Sequence, residues 1–351
     1  MDHRPGLDPA VAEVRRAVRT ALDGRTGAVI VALSGGADSL ALLAATAFEA
    51  GRAGIRVEAV VVDHGLQRGS DAVAARAVET ARGRGIDARV MTVEVAVKDG
   101  PEADARTARY AAFARVASET GADAVLLGHT LDDQAETVLL GLARGSGATS
   151  LAGMPTERRD ATGPAWLRPL LAVRRSTTVA ACAAEGLAPW SDPHNVDPAF
   201  TRVRVRERVL PVLEAELGPG VAEALARTAE QLREDAAAFQ DMIDETIEDI
   251  VEHAEAGISI SVAALAANPA ALRNRIVRYV VESEFGVSLT RAQTLEVARL
   301  AVDWRGQGPI DLPSCVARRV GNRIEIVARE RGLGRVMRRR GGGGTRPAPS
   351  R

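Results

Sequence analysis

The residues best suited to chemistry lie in the run Ser-Gly-Gly-Ala-Asp-Ser at positions 34–39. A β-branched run at 29–31 precedes it, and a stretch rich in Ala and Leu follows. This pattern predicts a buried strand, a tight turn and the start of a helix. Gly35 and Gly36 allow the turn to approach a ligand closely, and the free N–H groups of a helix N-terminus favour an anion. We therefore expect this turn to bind phosphate through Ser34, Gly35, Gly36, Ala37, Asp38 and Ser39.

Asp38 is the unusual member of the turn. A carboxylate beside a phosphate is unfavourable unless a cation lies between them, so Asp38 is the candidate ligand of Mg²⁺. The alternative is an ordinary strand-to-helix turn in which Ser and Asp side chains cap the helix. Two better-known phosphate motifs do not fit, because the turn has no lysine for a Walker loop and lacks the G-x-G-x-x-G fingerprint.

A second constellation lies at 127–139, where His129 is followed by three carboxylates. A helix that begins near Leu131 would place Asp132 and Glu136 one turn apart, with Asp133 on the adjacent face. The alternative is helix-start chemistry, because Thr130 and Asp133 have the spacing of a cap. Clustered carboxylates can instead hold Mg²⁺ or take a proton from an amine. We therefore treat Asp132, Asp133 and Glu136, together with Asp38, as candidate catalytic residues.

Other polar residues could contact a nucleotide or an anionic polymer. Asp63 and His64 follow the end of a predicted strand and form either a wall of the nucleotide site or a polar turn. The remaining candidates could bind a phosphate or stack on a base. Their alternative explanations are a surface ion pair, a helix C-cap or a solvated basic face. These candidates are Arg106, Arg109, Tyr110, Arg144, Ser146, Arg202 and Arg206.

The elements that must position these residues alternate between strand-like and helical segments. Such alternation predicts a Rossmann-like parallel sheet with helices on both faces, in which ligands bind beyond the carboxyl ends of the strands. The turn at 34–39, the pair at 63–64 and the segment 128–133 all follow such ends and can converge. The predicted strands are 28–33, 57–63, 88–93 and 124–128, and the predicted helices are 11–22, 39–50, 71–84, 103–120 and 132–143.

The second half of the chain has a different organisation. Structure is uncertain over 151–197, a helix is predicted over 201–217, and the Gly-Pro-Gly at 218–220 marks a boundary. Apolar residues then recur every three or four positions, which predicts a long amphipathic helix ending near Gly257. Helices at 270–284 and 290–302 and strands near 309–312 and 323–328 predict a small α+β unit. The expected domains are 1–218, 219–330 and a basic, disordered tail at 331–351.

The composition of the chain indicates what kind of core and what redox environment to expect. Hydrophobic residues make up 46% of the chain and aromatic residues 3%, so a core built mostly from Ala, Val and Leu is expected. The net charge is −1, and the tail carries seven Arg and no acidic residue. The two cysteines, Cys182 and Cys315, show no metal-ligand spacing, which favours free thiols in a reducing cytoplasm. No export signal or apolar run long enough to span a membrane is evident.

The run at 34–39 resembles the pyrophosphate-binding turn of the PP-loop ATPases, which adenylate a substrate oxygen and release pyrophosphate. In the order and spacing of further segments, the chain resembles the tRNA(Ile)-lysidine synthase family of that superfamily. The resemblance spans about residues 28–215, with weaker support to about 328. The segments that carry it are 34–39, 63–66, 102–110, 128–137, 144–147, 151–154, 168–171 and 192–211.

This resemblance implies a reaction and a division of residues. ATP would adenylate the wobble cytidine of a tRNA(Ile) with a CAU anticodon at carbon 2, and the amine of free L-lysine would displace AMP. The turn, with Asp63, His64 and His129, would bind ATP, and Asp38 would manage Mg²⁺. Asp132, Asp133 and Glu136 would share the metal, the lysine ammonium and proton transfer. The seven candidates from Arg106 to Arg206 would meet the tRNA or the adenylated base, and 221–328 would form a small tRNA-binding domain.

Other functions remain as alternatives at this point. A sulfur-inserting tRNA enzyme of the same superfamily would need paired or cluster-binding cysteines, and an amide-forming ligase would need an ammonia source. A non-catalytic tRNA- or nucleotide-binding module would not need Asp38 and Asp132. The oligomeric state stays open, with a homodimer as one option.

Overall fold

The computed structural model describes residues 6–65, 69–93, 100–145, 147–192, 196–254 and 257–329. The chain divides into two compact units, with the boundary between Ala236 and Ala237 inside one long helix. The domain boundary expected after residue 218 stays a prediction. Ser146 and the basic tail at 331–351 lie outside the described residues.

The first unit is built on a mostly parallel sheet, as predicted. Its strands run in the order β3-β2-β1-β4-β6-β5, and only the edge strand β5 is antiparallel to its neighbour. The strands are β1 Ala28–Ala32, β2 Val57–Asp63, β3 Asp87–Thr92, β4 Ala122–Leu126, β5 Glu157–Arg158 and β6 Ala165–Leu167. β1 is central and pairs with β2 and β4, which explains why its sequence is continuously apolar.

Helices cover both faces of this sheet. Val29 and Val31 pack on one side with α1, α2, α3 and α7, whereas Ile30 packs on the other side with Phe113 and Val116 of α4. The helices of the first unit are α1 Pro9–Leu22, α2 Ala37–Ala53, α3 Ser70–Gly83, α4 Pro101–Thr120, α5 Leu131–Ala143, α6 Ala148–Leu151, α7 Arg175–Ala184, α8 Thr201–Arg204 and α9 Leu210–Leu217. The alternation of residues along β1 therefore matches a doubly covered sheet.

The segment of uncertain prediction, 151–197, supplies structure that matters for the site. It forms β5, β6, a short 3-10 helix at Pro169–Ala172 and α7. The Leu131 N–H, at the start of α5, donates to the Val173 carbonyl at 2.9 Å. This bond holds the beginning of α7 close to the beginning of α5.

The helix predicted over 201–217 is interrupted by a π-helical turn at Val205–Val209, between α8 and α9. Pro211 explains the interruption, because it has no N–H to donate and its ring crowds the carbonyl four residues earlier. Such turns often occur at functional sites. This turn carries Arg206, one of the candidate residues.

The second unit begins at Ala237, within α10, which runs from Val221 to Ile250. The prediction that this helix ends near Gly257 was wrong, because the chain enters β7 at Val251. Gly257 starts β8 instead, and a Cβ there would lie 2.1 Å from the Ile326 carbonyl oxygen, so only glycine fits. The strands are β7 Val251–Ala254, β8 Gly257–Ser261, β9 Ile310–Leu312, β10 Cys315–Val320 and β11 Arg323–Ala328.

These strands form an antiparallel sheet in the order β7-β8-β11-β10-β9. The helices of this unit are α11 Val262–Ala267, α12 Ala270–Phe285 and α13 Arg291–Val302. Two predicted helices and two predicted strands are therefore present, within a larger sheet than the sequence indicated. Ile260, Ile276, Leu300 and Ile324 are fully buried in its core.

Candidate active site

The turn at 34–39 joins β1 to α2 and is braced by its own side chains. The Ser34 N–H and hydroxyl donate to the Ser39 Oγ at 3.2 and 3.1 Å, and the Ser39 hydroxyl donates to the Gly36 carbonyl at 2.9 Å. Gly35 has a φ of +82°, which L side chains rarely adopt. No described side chain caps α2, so its first N–H groups are available to an anion.

Three carboxylates converge beside this turn, and we call Asp38, Asp133 and Glu136 the carboxylate cluster. All three contact the Arg175 guanidinium, at 3.3 Å for Asp38, 2.6 Å for Asp133 and 3.4 Å for Glu136. The Thr178 hydroxyl also donates to Asp38. Arg175 and Thr178 belong to the first turn of α7, so this helix closes one side of the site.

Glu136 is the deepest member of the cluster. Its side chain is fully buried and accepts two hydrogen bonds from Arg206, at 2.7 and 3.1 Å. Arg202 lies 3.9 Å from the same carboxylate and donates to Thr137 at 3.4 Å. The structure therefore places Arg202 and Arg206 against the carboxylate cluster, where they offset buried negative charge.

Asp132 faces a different partner from its neighbour Asp133. Its carboxylate accepts the backbone N–H of Arg175 at 2.8 Å and lies 3.4 Å from the Arg174 guanidinium. Arg174 also donates to Glu223 at 2.6 Å through two nitrogens. Asp132 thus connects the start of α5 to the start of α7.

The pKa values of Asp38 and Asp133 are shifted in opposite directions by their shared surroundings. Burial raises the pKa of Asp38, and the nearby charge of Asp133 raises it further, so that Thr178 and Arg175 only partly compensate. Burial would also raise the pKa of Asp133, but Arg175 and hydrogen bonds from Thr130 lower it overall. The shorter contact of Asp133 with Arg175 agrees with this difference.

A layer of aromatic and arginine side chains lies on α4, β5 and β6. The rings of Tyr110 and Trp166 have centroids 4.6 Å apart, and Arg106 donates to the Tyr110 hydroxyl at 3.0 Å. The Arg158 guanidinium lies over both rings, at 5.7 and 5.8 Å. Arg168 is buried and donates to the Pro155 carbonyl. Trp166 is also buried, so Arg106, Tyr110 and Arg158 are the members of this layer that could stack on a base or contact a phosphate.

Sequence comparisons identify the family. A PP-loop domain model matches residues 11–213, and a TilS substrate binding domain model matches residues 260–325. The tRNA(Ile)-lysidine synthase of Leifsonia xyli subsp. xyli is 60% identical over 81% of this chain and 85% of its own length. The chain belongs to the tRNA(Ile)-lysidine synthase family.

Further relatives agree with this assignment. The tRNA(Ile)-lysidine synthase of Thermobifida fusca is 50% identical over 88% of this chain and 94% of its own length. Among solved structures, the U34-tRNA thiolase NcsA from Methanococcus maripaludis, with its [4Fe-4S] cluster, has a TM-score of 0.54 at 21% identity. The alignment covers 64% of this chain and 79% of the thiolase chain. At this level of identity, the similarity supports the fold alone. Within the described residues, no helix is long and apolar enough to cross a membrane.

The turn at 34–39 is closely packed against the backbone at Gly128, which follows β4. A Cβ at Gly128 would lie 3.2 Å from the Asp38 carbonyl carbon and 3.2 Å from the Ser39 nitrogen. Both are backbone atoms, so the turn itself would have to shift. Gly128 lies in the predicted segment 128–133, but the need for glycine there follows from the approach of the end of β4 to α2, which has no local signal in the sequence.

Gly128→Ala is expected to raise the Kd for ATP about tenfold, equivalent to about 1.4 kcal/mol, because the turn is displaced. Isothermal titration calorimetry measures this change. Gly51→Ala in α2 is the matched control, since a Cβ there meets no atom within 4 Å. An unchanged Kd in Gly128→Ala would show that the packing does not set the geometry of the turn.

His129 lies at the entrance to α5 and is neutral at pH 7. Burial lowers its pKa to about 4, Arg168 and Arg106 act in the same direction, and Asp133 opposes them. Its buried Nδ1 has no hydrogen-bond partner among the residues described. A neutral imidazole beside the cluster can therefore accept a hydrogen bond from a ligand.

The lowered pKa of His129 predicts a pH-dependent stability. Between the ordinary value of 6.5 and about 4, the unfolded chain binds more protons at this position than the folded chain. The contribution of His129 to the free energy of unfolding is complete above pH 6.5 and is lost as the pH falls towards 4. Urea unfolding at pH 7 and pH 5 should show a smaller decrease in His129→Asn than in wild type, by roughly 2 kcal/mol or less. An equal decrease in both proteins would contradict this origin.

Several predicted residues stand apart from the cluster or carry local roles. Arg144 is exposed at the C-terminal cap of α5, about 16 Å along the helix from Asp133 at 1.5 Å per residue. The Asp63 carboxylate accepts the Gly65 N–H at 2.9 Å, as in a polar turn. Burial and the charge of Arg109 lower the pKa of His64, which places Arg109 near the end of β2. The substrate-binding prediction for Ser146 lies outside the described residues.

The fit of Mg²⁺ depends on Arg175. Asp38, Asp133 and Glu136 offer the oxygen ligands that Mg²⁺ prefers. Within the part of the chain that the structure describes, however, no group of three such side chains is arranged to hold a metal ion. The Arg175 guanidinium lies among the three carboxylates, so this arrangement does not fit a metal bound by the whole cluster.

Sequence reasoning missed Arg174, Arg175 and Thr178. The α7 segment begins with polar residues and shows no clear apolar period, so its sequence does not predict a helix. One signal in the sequence could have found them. Four carboxylates at one sheet edge, Asp38, Asp132, Asp133 and Glu136, require nearby positive charge.

Proposed function

We propose that this chain ligates free L-lysine to carbon 2 of the wobble cytidine of tRNA(Ile) with a CAU anticodon, at the expense of ATP. The products are lysidine in the tRNA, AMP and pyrophosphate. The observation that carries the proposal is the carboxylate cluster beside an ATP-binding turn, in a chain whose relatives are tRNA(Ile)-lysidine synthases. The TilS substrate binding domain at 260–325 supports tRNA as the substrate.

In the first step, the cytidine O2 attacks the α-phosphorus of ATP, and the bond to the β-phosphate oxygen breaks to release pyrophosphate. The N–H groups of Gly36 and the first turn of α2, with the Ser34 and Ser39 hydroxyls, hold the phosphates. Asp63, His64 and His129 follow neighbouring strand ends and are proposed to line the nucleotide site. Asp38 is the candidate protein ligand of Mg²⁺, which offsets phosphate charge when it is bound.

In the second step, the lysine amine attacks carbon 2, and AMP leaves with the former O2. Asp133 and Glu136 are proposed to hold the lysine ammonium and to take the proton that the amine must lose. Asp132 acts on the same step by holding α7. Arg202 and Arg206 place positive charge against the buried Glu136 carboxylate.

The tRNA is proposed to contact Arg106, Tyr110 and Arg158, of which Tyr110 and Arg158 lie against the buried Trp166. Arg109, Arg144 and Ser146 remain proposed tRNA contacts. The proposed domains are 1–218 for catalysis and 219–330 for tRNA binding, followed by the basic tail. A cytoplasmic location fits a substrate of this kind.

Sulfur insertion is the disfavoured alternative. The sequence has two cysteines, and both are buried in different units. Burial raises the pKa of the Cys182 thiol to about 11, so it is protonated at pH 7. A protonated, buried thiol is a poor nucleophile and a poor ligand for a cluster.

AMP formation from ATP separates the three functions. We expect AMP in the presence of tRNA(Ile) with a CAU anticodon, with turnover that requires added L-lysine. A non-catalytic binding module would produce no AMP under any condition. A sulfur-inserting enzyme would produce AMP independently of lysine. Either of the last two results would overturn the proposal.

A further inference from the structure

Arg175 occupies the centre of the carboxylate cluster and is held there from two sides. Its guanidinium contacts Asp38, Asp133 and Glu136, and its backbone N–H donates to Asp132 at 2.8 Å. The side chain is 24% exposed, whereas Glu136 is fully buried. One arginine thus reaches every carboxylate of the cluster while keeping a route to solvent.

A guanidinium suits this position because its N–H groups point outward in one plane and can serve several acceptors at once. Without it, Asp38 and Asp133 would lie near each other as like charges with no shared counter-charge. Arg206 contacts Glu136 and lies 3.6 Å from Asp133, whereas Arg175 is the arginine in contact with Asp38 in the described part of the chain. Arg175 is therefore the arginine that links Asp38 to the rest of the cluster.

The same oxygens cannot serve Arg175 and a small cation at the same time. Mg²⁺ requires oxygen ligands at about 2.0–2.1 Å in octahedral geometry, which leaves no space for a guanidinium among them. We propose that Arg175 is a positioning residue that acts as an exchangeable internal counter-ion. It holds Asp38, Asp133 and Glu136 together before a divalent cation binds, and it must leave Asp38 when that cation binds.

This inference rests on the proposed function only for the identity of the cation as Mg²⁺. The exchange has a measurable consequence. The cation can bind only to the fraction of free protein in which Arg175 has left Asp38. The apparent Kd for the cation therefore equals the intrinsic Kd divided by that fraction. Removing Arg175 should therefore strengthen cation binding, whereas loss of a purely structural residue would weaken it or leave it unchanged.

The test uses Mn²⁺ as a paramagnetic probe for Mg²⁺, with the full chain and without ATP, lysine or tRNA. Electron paramagnetic resonance measures free Mn²⁺ during titration of wild type and Arg175→Gln. We expect about tenfold tighter binding in Arg175→Gln. Arg174→Gln is the matched control, because its guanidinium contacts Asp132, Glu214 and Glu223 and should leave Mn²⁺ binding unchanged.

Two further variants complete the test. Asp38→Asn combined with Arg175→Gln should lose the gain in affinity. If Arg175→Gln does not fold, Arg175→Lys decides the question. The compact ammonium lacks the spread, planar N–H groups with which the guanidinium reaches all three carboxylates, so Mn²⁺ binding should again be tighter than in wild type. Unchanged or weaker Mn²⁺ binding in the folded variant would overturn the inference. Because the assay contains no tRNA and no lysine, its outcome is separate from that of the proposed reaction.

Discussion

Asp38→Asn is expected to lower tRNA-dependent pyrophosphate release about 10²–10³-fold. Asp38 supplies the only carboxylate of the turn at 34–39, and it connects the turn to α7 through Thr178 and Arg175. Asparagine keeps the size of the side chain but removes the charge that we propose acts on the reacting phosphates, and an electrostatic contribution of this kind has an effect of this order. A coupled assay of pyrophosphate under saturating ATP measures the change.

Asp71→Asn is the matched control for this variant. Asp71 also lies in the first turn of a helix, α3, but it is exposed to solvent. Both variants should unfold at urea concentrations close to that of wild type. Pyrophosphate release near the wild-type rate in a folded Asp38→Asn protein would remove Asp38 from the catalytic set.

Glu136→Ala is expected to lower the free energy of unfolding by about 3–5 kcal/mol. Glu136 is fully buried and pairs with Arg206 through two hydrogen bonds and with Arg175 at 3.4 Å. Removing Glu136 takes away the carboxylate closest to Arg206, which keeps a longer 3.6 Å contact with Asp133, and loss of one partner of a buried ion pair is strongly destabilising. Urea denaturation followed by circular dichroism measures the loss, and lysine incorporation should disappear as well.

Two comparisons sharpen this prediction. Glu119→Ala removes a surface carboxylate paired with Arg89 and Arg115, and it should cost about 1 kcal/mol or less. Glu136→Leu combined with Arg206→Met replaces the buried pair with apolar side chains. It should recover stability relative to Glu136→Ala, but not activity. A loss below about 1 kcal/mol in Glu136→Ala would show that the pair is not a major source of stability.

The parts of the fold that the sequence predicted are those with local signals. The run at 29–31, the glycines at 35 and 36 and the apolar helix that follows all lie within a few residues, so their period and turn chemistry identify them. The segment after α10 was harder, because the helix and β7 are joined without a glycine or proline. The amphipathic pattern of the sequence therefore continues beyond Ile250 and does not show where the helix ends.

The site was predictable in its carboxylates but not in its counter-charges. Asp38, Asp133 and Glu136 follow strand ends, and the rule for open parallel sheets brings such residues together. Arg175 lies 137 positions from Asp38 in sequence, and no local pattern connects them. Helix geometry alone also did not show that Asp133 and Glu136 share one guanidinium while Asp132 faces α7.

The most direct test uses purified protein, ATP, Mg²⁺, labelled L-lysine and unmodified tRNA(Ile) with a CAU anticodon. Label retained in acid-insoluble RNA is counted, with a methionine tRNA of the same anticodon as the control. The proposed function predicts label in the isoleucine tRNA alone. Absence of label in that tRNA, despite pyrophosphate release that depends on it, would contradict lysine as the nucleophile.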